Sequence, residues 1–143
     1  MIGMKLDAAK GLFFDRARVT NAVDRTTRKN LSRFGAFVRK RARSSIRKRR
    51  RISNPGQPPS SHTGLLKRNI FFVYEPARRS VVIGPVLLNS SSGAPELLEH
   101  GGTVVRKVGG RRVRMTYQPR PYMGPAFETE QDNLSRLWRN SVK

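Results

Sequence analysis

Residues 53–70 read SNPGQPPSSHTGLLKRNI and separate two kinds of chain. Pro55, Pro58 and Pro59 fix φ and remove three backbone donors, so Asn54–Ser61 is expected to be extended rather than helical. Just upstream, nine of the thirteen residues from Arg39 to Arg51 are Arg or Lys. Downstream, Thr63 can cap a short turn or helix whose anchors are Leu65, Leu66 and Ile70. A rigid, nearly neutral elbow thus follows the most basic part of the chain.

Moving back from the elbow, Val19, Val23, Leu31, Phe34, Val38, Ala42 and Ile46 step at helical spacing, with Thr27 filling the one gap. That is a single stripe of a long helix, uninterrupted by proline and weakened only at Gly35. Thr20 or Asn21 is a candidate N-cap. A helix over residues 16–52 would be roughly 50 Å long, so its basic end is expected to project beyond the body. Between Arg16 and Arg51 stand fifteen Lys or Arg and one acid, Asp24. A solvated face normally mixes signs, and this one does not.

Moving forward, the pattern becomes β-like. NIFFVYE and RRSVVIGPV, separated by PAR, signal a hairpin, and LLNSSSGAP is a loop by composition. PELLEHGGT reads as a short helical turn ended by Gly101 and Gly102. TVVRKVGGRRVRMTY has two extended arms around Gly109-Gly110, a two-residue turn. Its arms carry Arg106, Lys107, Arg111, Arg112 and Arg114, so this hairpin is basic and is expected to protrude. After Pro119, Pro121 and Pro125 comes a last helix with Phe127, Leu134, Leu137 and Trp138 on one side. Glu128, Glu130 and Asp132 are expected in its first turns, and Arg136, Arg139 and Lys143 toward its end, as the helix dipole favours. The expected fold class is α+β: a long N-terminal helix, an antiparallel sheet of about four strands with a protruding basic hairpin, and a C-terminal helix. The corresponding division is an arm at 1–15, the basic helix at 16–52, and a core at 53–143 with its elbow at 53–61.

Composition narrows the function. The chain has 143 residues, 30 Lys plus Arg against 9 Asp plus Glu, and a net charge of +21. Such an imbalance is self-repelling unless an anionic partner neutralises it: nucleic acid first, an acidic protein surface second, anionic lipid a distant third. The apolar fraction of 36% predicts a modest core. No apolar run approaches the roughly 18 residues of a membrane span, and the opening MIGMKLDAAKGLFF predicts no signal peptide. With no cysteine there is neither disulfide nor thiolate metal site.

Chemistry is sparse. Glu96, Glu99 and His100 are a weak metal-ligand set, better read as decoration of a turn; His62 has no partner at ligand spacing. Ser60 and Ser61 adjoin His62 too closely for a nucleophile–base dyad, and GGTVVRKVGG lacks the spacing of a phosphate loop. Catalysis is not indicated, and no cofactor is expected. For contact with DNA or an acidic partner, the favoured residues are Arg47, Lys48, Arg49, Arg50 and Arg51, then Arg111, Arg112 and Arg114.

Three segments in order resemble a family of tailed-phage neck and tail-completion proteins, also called head–tail joining or minor tail proteins. PGQPPSSHTGLLKRNI is similar to that family's P…TGxLrxSI stretch through Pro58, Thr63, Gly64 and Leu65. APELLEHGGT is similar to YAxxvExGT through Glu99, Gly101 or Gly102, and Thr103. RPYMGPAFE resembles aRPFmxPAle through Arg120, Pro121, Pro125 and Ala126. The resemblance covers roughly Val19 to Trp138 and implies structural roles. Gly64 and the Gly101-Gly102 pair would fix turns at the ends of the sheet, Pro121 and Pro125 would stiffen the lead into the last helix, and Tyr122 and Phe127 would pack on the sheet.

The resemblance further implies a non-enzymatic virion protein at the neck or head-proximal end of the tail, assembled in the host cytoplasm. Its implied partners are further copies of itself in a homo-oligomeric ring, commonly a hexamer, and adjacent head-completion or stopper and tail-terminator or tail-tube proteins. Packaged double-stranded DNA is a further implied contact; a membrane is not. The alternative reading is a sequence-independent nucleic-acid-binding protein of ribosomal or chromatin type. Against it, Phe71, Phe72 and Tyr74 are the only aromatic cluster in a strand, and alternation commits one of their faces to the core.

Overall fold

The computed structural model describes residues 15–86, 93–139 and 141. The expected arm at 1–15, apart from Asp15, and most of the LLNSSSGAP loop lie outside them.

Helix α1 spans Arg16–Ser45. Asp15 rather than Thr20 or Asn21 is its N-cap: the carboxylate accepts from the Arg18 N–H at 3.0 Å, and those two residues lie inside the helix. The helix also stops short of residue 52. Ser44 and Ser45 turn their hydroxyls back onto the carbonyls of Arg41 and Ala42, both at 2.8 Å. This competes with continuation of the backbone ladder. Ile46 is then extended and fully buried, at 0% exposure. Arg47–Lys48 becomes strand β1 and pairs in parallel with β2, Ser60–Ser61, at the far end of the elbow.

The core gathers around the second half of α1. Phe34, Val38, Ala42 and Ile46, four residues apart, are buried with Ile70, Tyr122 and Ala126; Leu66, Val81, Ile83, Leu98, Met123, Leu134 and Leu137 pack around them. Val19 and Val23, on the same predicted stripe, are exposed. The uncovered end of α1 is therefore its beginning, not the basic end expected to project, because the sheet and last helix cover its larger apolar side chains. An ion pair of 3.1 Å between Arg79 and Asp24 ties that beginning to the turn of the first hairpin.

Helix α2, Leu65–Arg68, leads into a hairpin of β3, Ile70–Glu75, and β4, Ser80–Pro85, paired from Ile70↔Pro85 to Glu75↔Ser80. Of the expected anchors Ile70 is buried and Leu66 packs at the core edge, but Leu65 points outward. Gly35 explains how closely this hairpin sits on α1. A Cβ there would lie 2.8 Å from Val81 Cγ2 and 2.9 Å from Phe72 Cδ2. Alternation leaves Phe71, Val73 and Val82 on the outer, exposed face.

Helix α3, Ala94–His100, ends at Gly101. Strands β5, Gly102–Val108, and β6, Arg111–Tyr117, form the second hairpin, with Gly109 and Gly110 both at positive φ as its turn requires. Helix α4, Met123–Trp138, closes the fold against α1.

Helix and sheet are thus mixed as expected, with a long first helix and a closing last one. Instead of one sheet of about four strands, the described residues form three two-stranded sheets: β1–β2, β3–β4 and β5–β6. The reason lies in β5–β6. It carries Arg106 and Arg111 on one face and Lys107, Arg112 and Arg114 on the other, so neither face can be buried on a small core.

Candidate assembly and polyanion-binding surfaces

The three sequence motifs meet in space. Glu99, on the last turn of α3, aims its carboxylate at the start of α4. It accepts from the N–H groups of Tyr122 at 2.9 Å, Met123 at 3.0 Å and Gly124 at 2.7 Å. A side chain from a separate element therefore satisfies orphan donors of a helix with no side-chain cap of its own. Its negative charge sits at the positive end of the helix dipole. A Cβ at Gly124 would stand 3.1 Å from the same carboxylate.

Arg120 joins the elbow to this arrangement. Its Nε donates to Ser53 O at 3.0 Å, its backbone N–H to Leu98 O at 2.6 Å, and its Nη1 to Gln118 O at 3.2 Å. The Gly56 N–H reaches Pro119 O at 2.8 Å from the other side. Gly101 has φ 73°, and a Cβ would meet Tyr117 O at 2.9 Å. Any other residue there would be strained and crowded. Gly64, at φ 76°, is buried with its N–H on Ser61 Oγ at 3.0 Å, while Thr63 Oγ1 accepts from the Leu65 N–H at 3.3 Å. Pro58 is half-buried in the elbow. Thr103 faces Thr116 across the second hairpin with hydroxyls 3.2 Å apart. Pro121 immediately precedes Tyr122, Pro125 lies exposed in the first turn of α4, and Ala126 is buried one residue later.

Burial first, and the Glu99 charge second, push the Tyr122 phenol up to about 12. Phe127 does not pack on a sheet as expected: it is half exposed and meets Phe34 of α1 edge-on, with centroids 5.7 Å apart. The acidic residues of α4 also differ from expectation, since none lies in its first turn. Glu130 is instead buried mid-helix, ion-paired with Arg41 of α1 and accepting from Asn133 at 2.7 Å. The Arg41 hydrogen bond holds its carboxyl below the usual range against the opposing effect of burial, and Asn133 assists.

The predicted contact residues form two exposed groups. Arg47 and Lys48 lie in β1, and Arg49–Arg51 follow in the turn, with Arg49 Nε on Ser60 Oγ at 2.8 Å. On the second hairpin, register and alternation place Arg112 and Arg114 on one face and Arg111 on the other. Directly opposite Arg112 is Lys107, which the sequence placed in the hairpin but not among the favoured contacts. Its membership of the cluster follows from counting outward from the Gly109-Gly110 turn. Like charges facing each other across a ladder destabilise it, so Lys107, Arg112 and Arg114 form a face that an anion would relieve.

Among the described residues no three His, Asp or Glu side chains are placed to hold a metal ion. Glu99 is occupied by backbone donors, while Glu96 and His100 line an open cavity of about 460 Å³ beside Arg106. No helix among the described residues is long and apolar enough to cross a membrane. Comparison with models of known protein families, with curated protein sequences and with solved structures gave no match.

Proposed function

We propose that this chain is a non-enzymatic structural protein of a tailed-phage neck or tail terminus, which works by assembling into a ring between head and tail. The observation that carries the reading is the Glu99 clamp on α4. It joins the second and third motif segments by hydrogen bonds, and the Arg120–Ser53 O and Gly56–Pro119 O contacts set the elbow, where the first begins, against them. Every polar group so used serves architecture. In such a ring the open strands of β3–β4 and β5–β6 would pair between copies, making a larger sheet across the subunit boundary. The exposed Phe71, Val73 and Val82 face would be covered by a neighbour. The ring would dock to head-completion and tail-terminator or tail-tube partners, and its basic surfaces would follow DNA phosphates without reading bases.

Native mass measurement of the purified chain at about 0.1 M and about 1 M salt, with and without duplex DNA, tests this reading. Discrete oligomers that persist at high salt without DNA are the expected result. A monomer at every protein concentration, which binds duplex at low salt and releases it steeply as salt rises, would instead favour a sequence-independent nucleic-acid binder. The Lys107–Arg112–Arg114 face favours that second reading.

A further inference from the structure

A third basic feature lies apart from both predicted contact groups. The first half of α1 and the end of α4 enclose an open cavity of about 510 Å³. Arg25, Lys29 and Arg33 line it from α1, Arg136 and Arg139 from the end of α4, and among the described residues no carboxylate takes part in the lining. The ion pairs among the described residues are Arg41–Glu130, Arg78–Glu75 and Arg79–Asp24, none of which draws on these five cations.

The α1 trio is spaced i, i+4, i+8, so its members are stacked on one stripe at about 6 Å intervals along the axis. Like charges in that arrangement repel, and no described residue of the lining carries a negative charge to offset them. The wall also contains Asn30, which is 3% exposed and whose side-chain Nδ2 has no hydrogen-bond partner among the described residues. Buried donors are nearly always satisfied, so an unpartnered amide in the wall of a cation-lined cavity marks a place that a ligand or its bound water completes. The negative end of the α4 dipole favours Arg136 and Arg139 here, although one of its terminal carbonyls, Trp138 O, is already taken by the Ser141 N–H and hydroxyl, at 3.3 and 2.9 Å.

We propose that this cavity binds a ligand bearing several phosphate groups in series. Four arginines favour phosphate over a compact anion, because the guanidinium fork matches two phosphate oxygens at once. The regular stacking of cations suits a chain of phosphates better than a single one. Two sources share this chemistry: a free polyphosphate, such as a nucleotide tail, and the backbone of a nucleic acid. The site is independent of the ring reading, which the mass measurement decides; the cavity stands or falls by titration.

The test is calorimetric titration of the full chain at about 0.1 M salt with sodium tripolyphosphate, a short DNA duplex and poly-glutamate. Tripolyphosphate binding at one site per chain, weakened at least tenfold by Lys29→Gln with Arg136→Gln, is the expected result and identifies a free polyphosphate. Duplex binding that suffers more from this pair than from Lys107→Gln with Arg112→Gln supports the same site with nucleic acid as the source. Asn30→Leu should weaken either by several-fold; if that variant fails to fold, the exposed Lys29 and Arg136 carry the test. The proposal is overturned if neither phosphate ligand binds, if both double variants weaken binding equally, or if poly-glutamate binds as tightly as tripolyphosphate.

Discussion

Replacing Glu99 isolates the contact that joins the sequence motifs. Its carboxylate accepts three backbone N–H groups, from Tyr122, Met123 and Gly124. A hydrogen bond to a charged group contributes roughly 1.5–3 kcal/mol, and loss of an ordinary N-cap costs about 1 kcal/mol. The freed donors in Glu99→Ala regain water only in part, so the loss should be about 3 kcal/mol, less than the sum of three separate bonds. Glu99→Gln keeps one acceptor oxygen but turns an amide N–H toward one of the backbone donors, and should lose about half as much. In a chain of this size ~3 kcal/mol corresponds to a fall in Tm of about 10 °C. Urea unfolding followed by circular dichroism measures it, with Asp132→Ala, at an exposed position of the same helix, as control. If Glu99→Ala unfolds within about 0.5 kcal/mol of the parent at an unchanged slope, the clamp does not stabilise the start of α4 and the reasoning fails.

Other expectations follow from single contacts. In an exposed helix Gly→Ala stabilises by up to about 1 kcal/mol, but Gly35→Ala drives a methyl to within 3 Å of Val81 and Phe72 and should destabilise by roughly 1–2 kcal/mol in chemical denaturation. Phe34→Ala should cost about 3–5 kcal/mol and Val23→Ala under about 0.5 kcal/mol, so equal losses would show that the whole stripe is buried. Because Tyr122 keeps its proton to about 12 when folded and only to about 10 when unfolded, it contributes stability that is present below pH 10 and lost as pH rises through 12. Tyr122→Phe should flatten that alkaline loss in a pH series of unfolding curves.

Much of the fold can be read from local pattern. The spacing of Phe34, Val38, Ala42 and Ile46 announces a helix because every fourth residue returns to one face. Gly109-Gly110 announces its turn because two successive positive φ values suit almost nothing else. Harder to see is where α1 ends, since two serine hydroxyls and the pairing of Arg47 with Ser60 compete with a ladder that propensity alone would extend. The separate hairpins are equally hidden: strand patterns reveal that Ile70–Glu75 and Gly102–Val108 are extended, but not that they fail to share a sheet.

From the chain alone come the element types, the excess of positive charge, the sparse chemistry and the residues of the basic hairpin, because each depends on residue identity or near-neighbour spacing. Tertiary packing brought Glu99 to the start of α4, Arg41 to Glu130, and Arg25, Lys29 and Arg33 to the cavity they share with Arg136 and Arg139. Those partners stand far apart along the chain, and no local period relates them. Glu99 reaches α4 from α3. Arg41 meets Glu130, and the α1 cations meet Arg136 and Arg139, because the apolar faces of α1 and α4 are buried against each other, which sets the polar residues at the margins of that contact side by side.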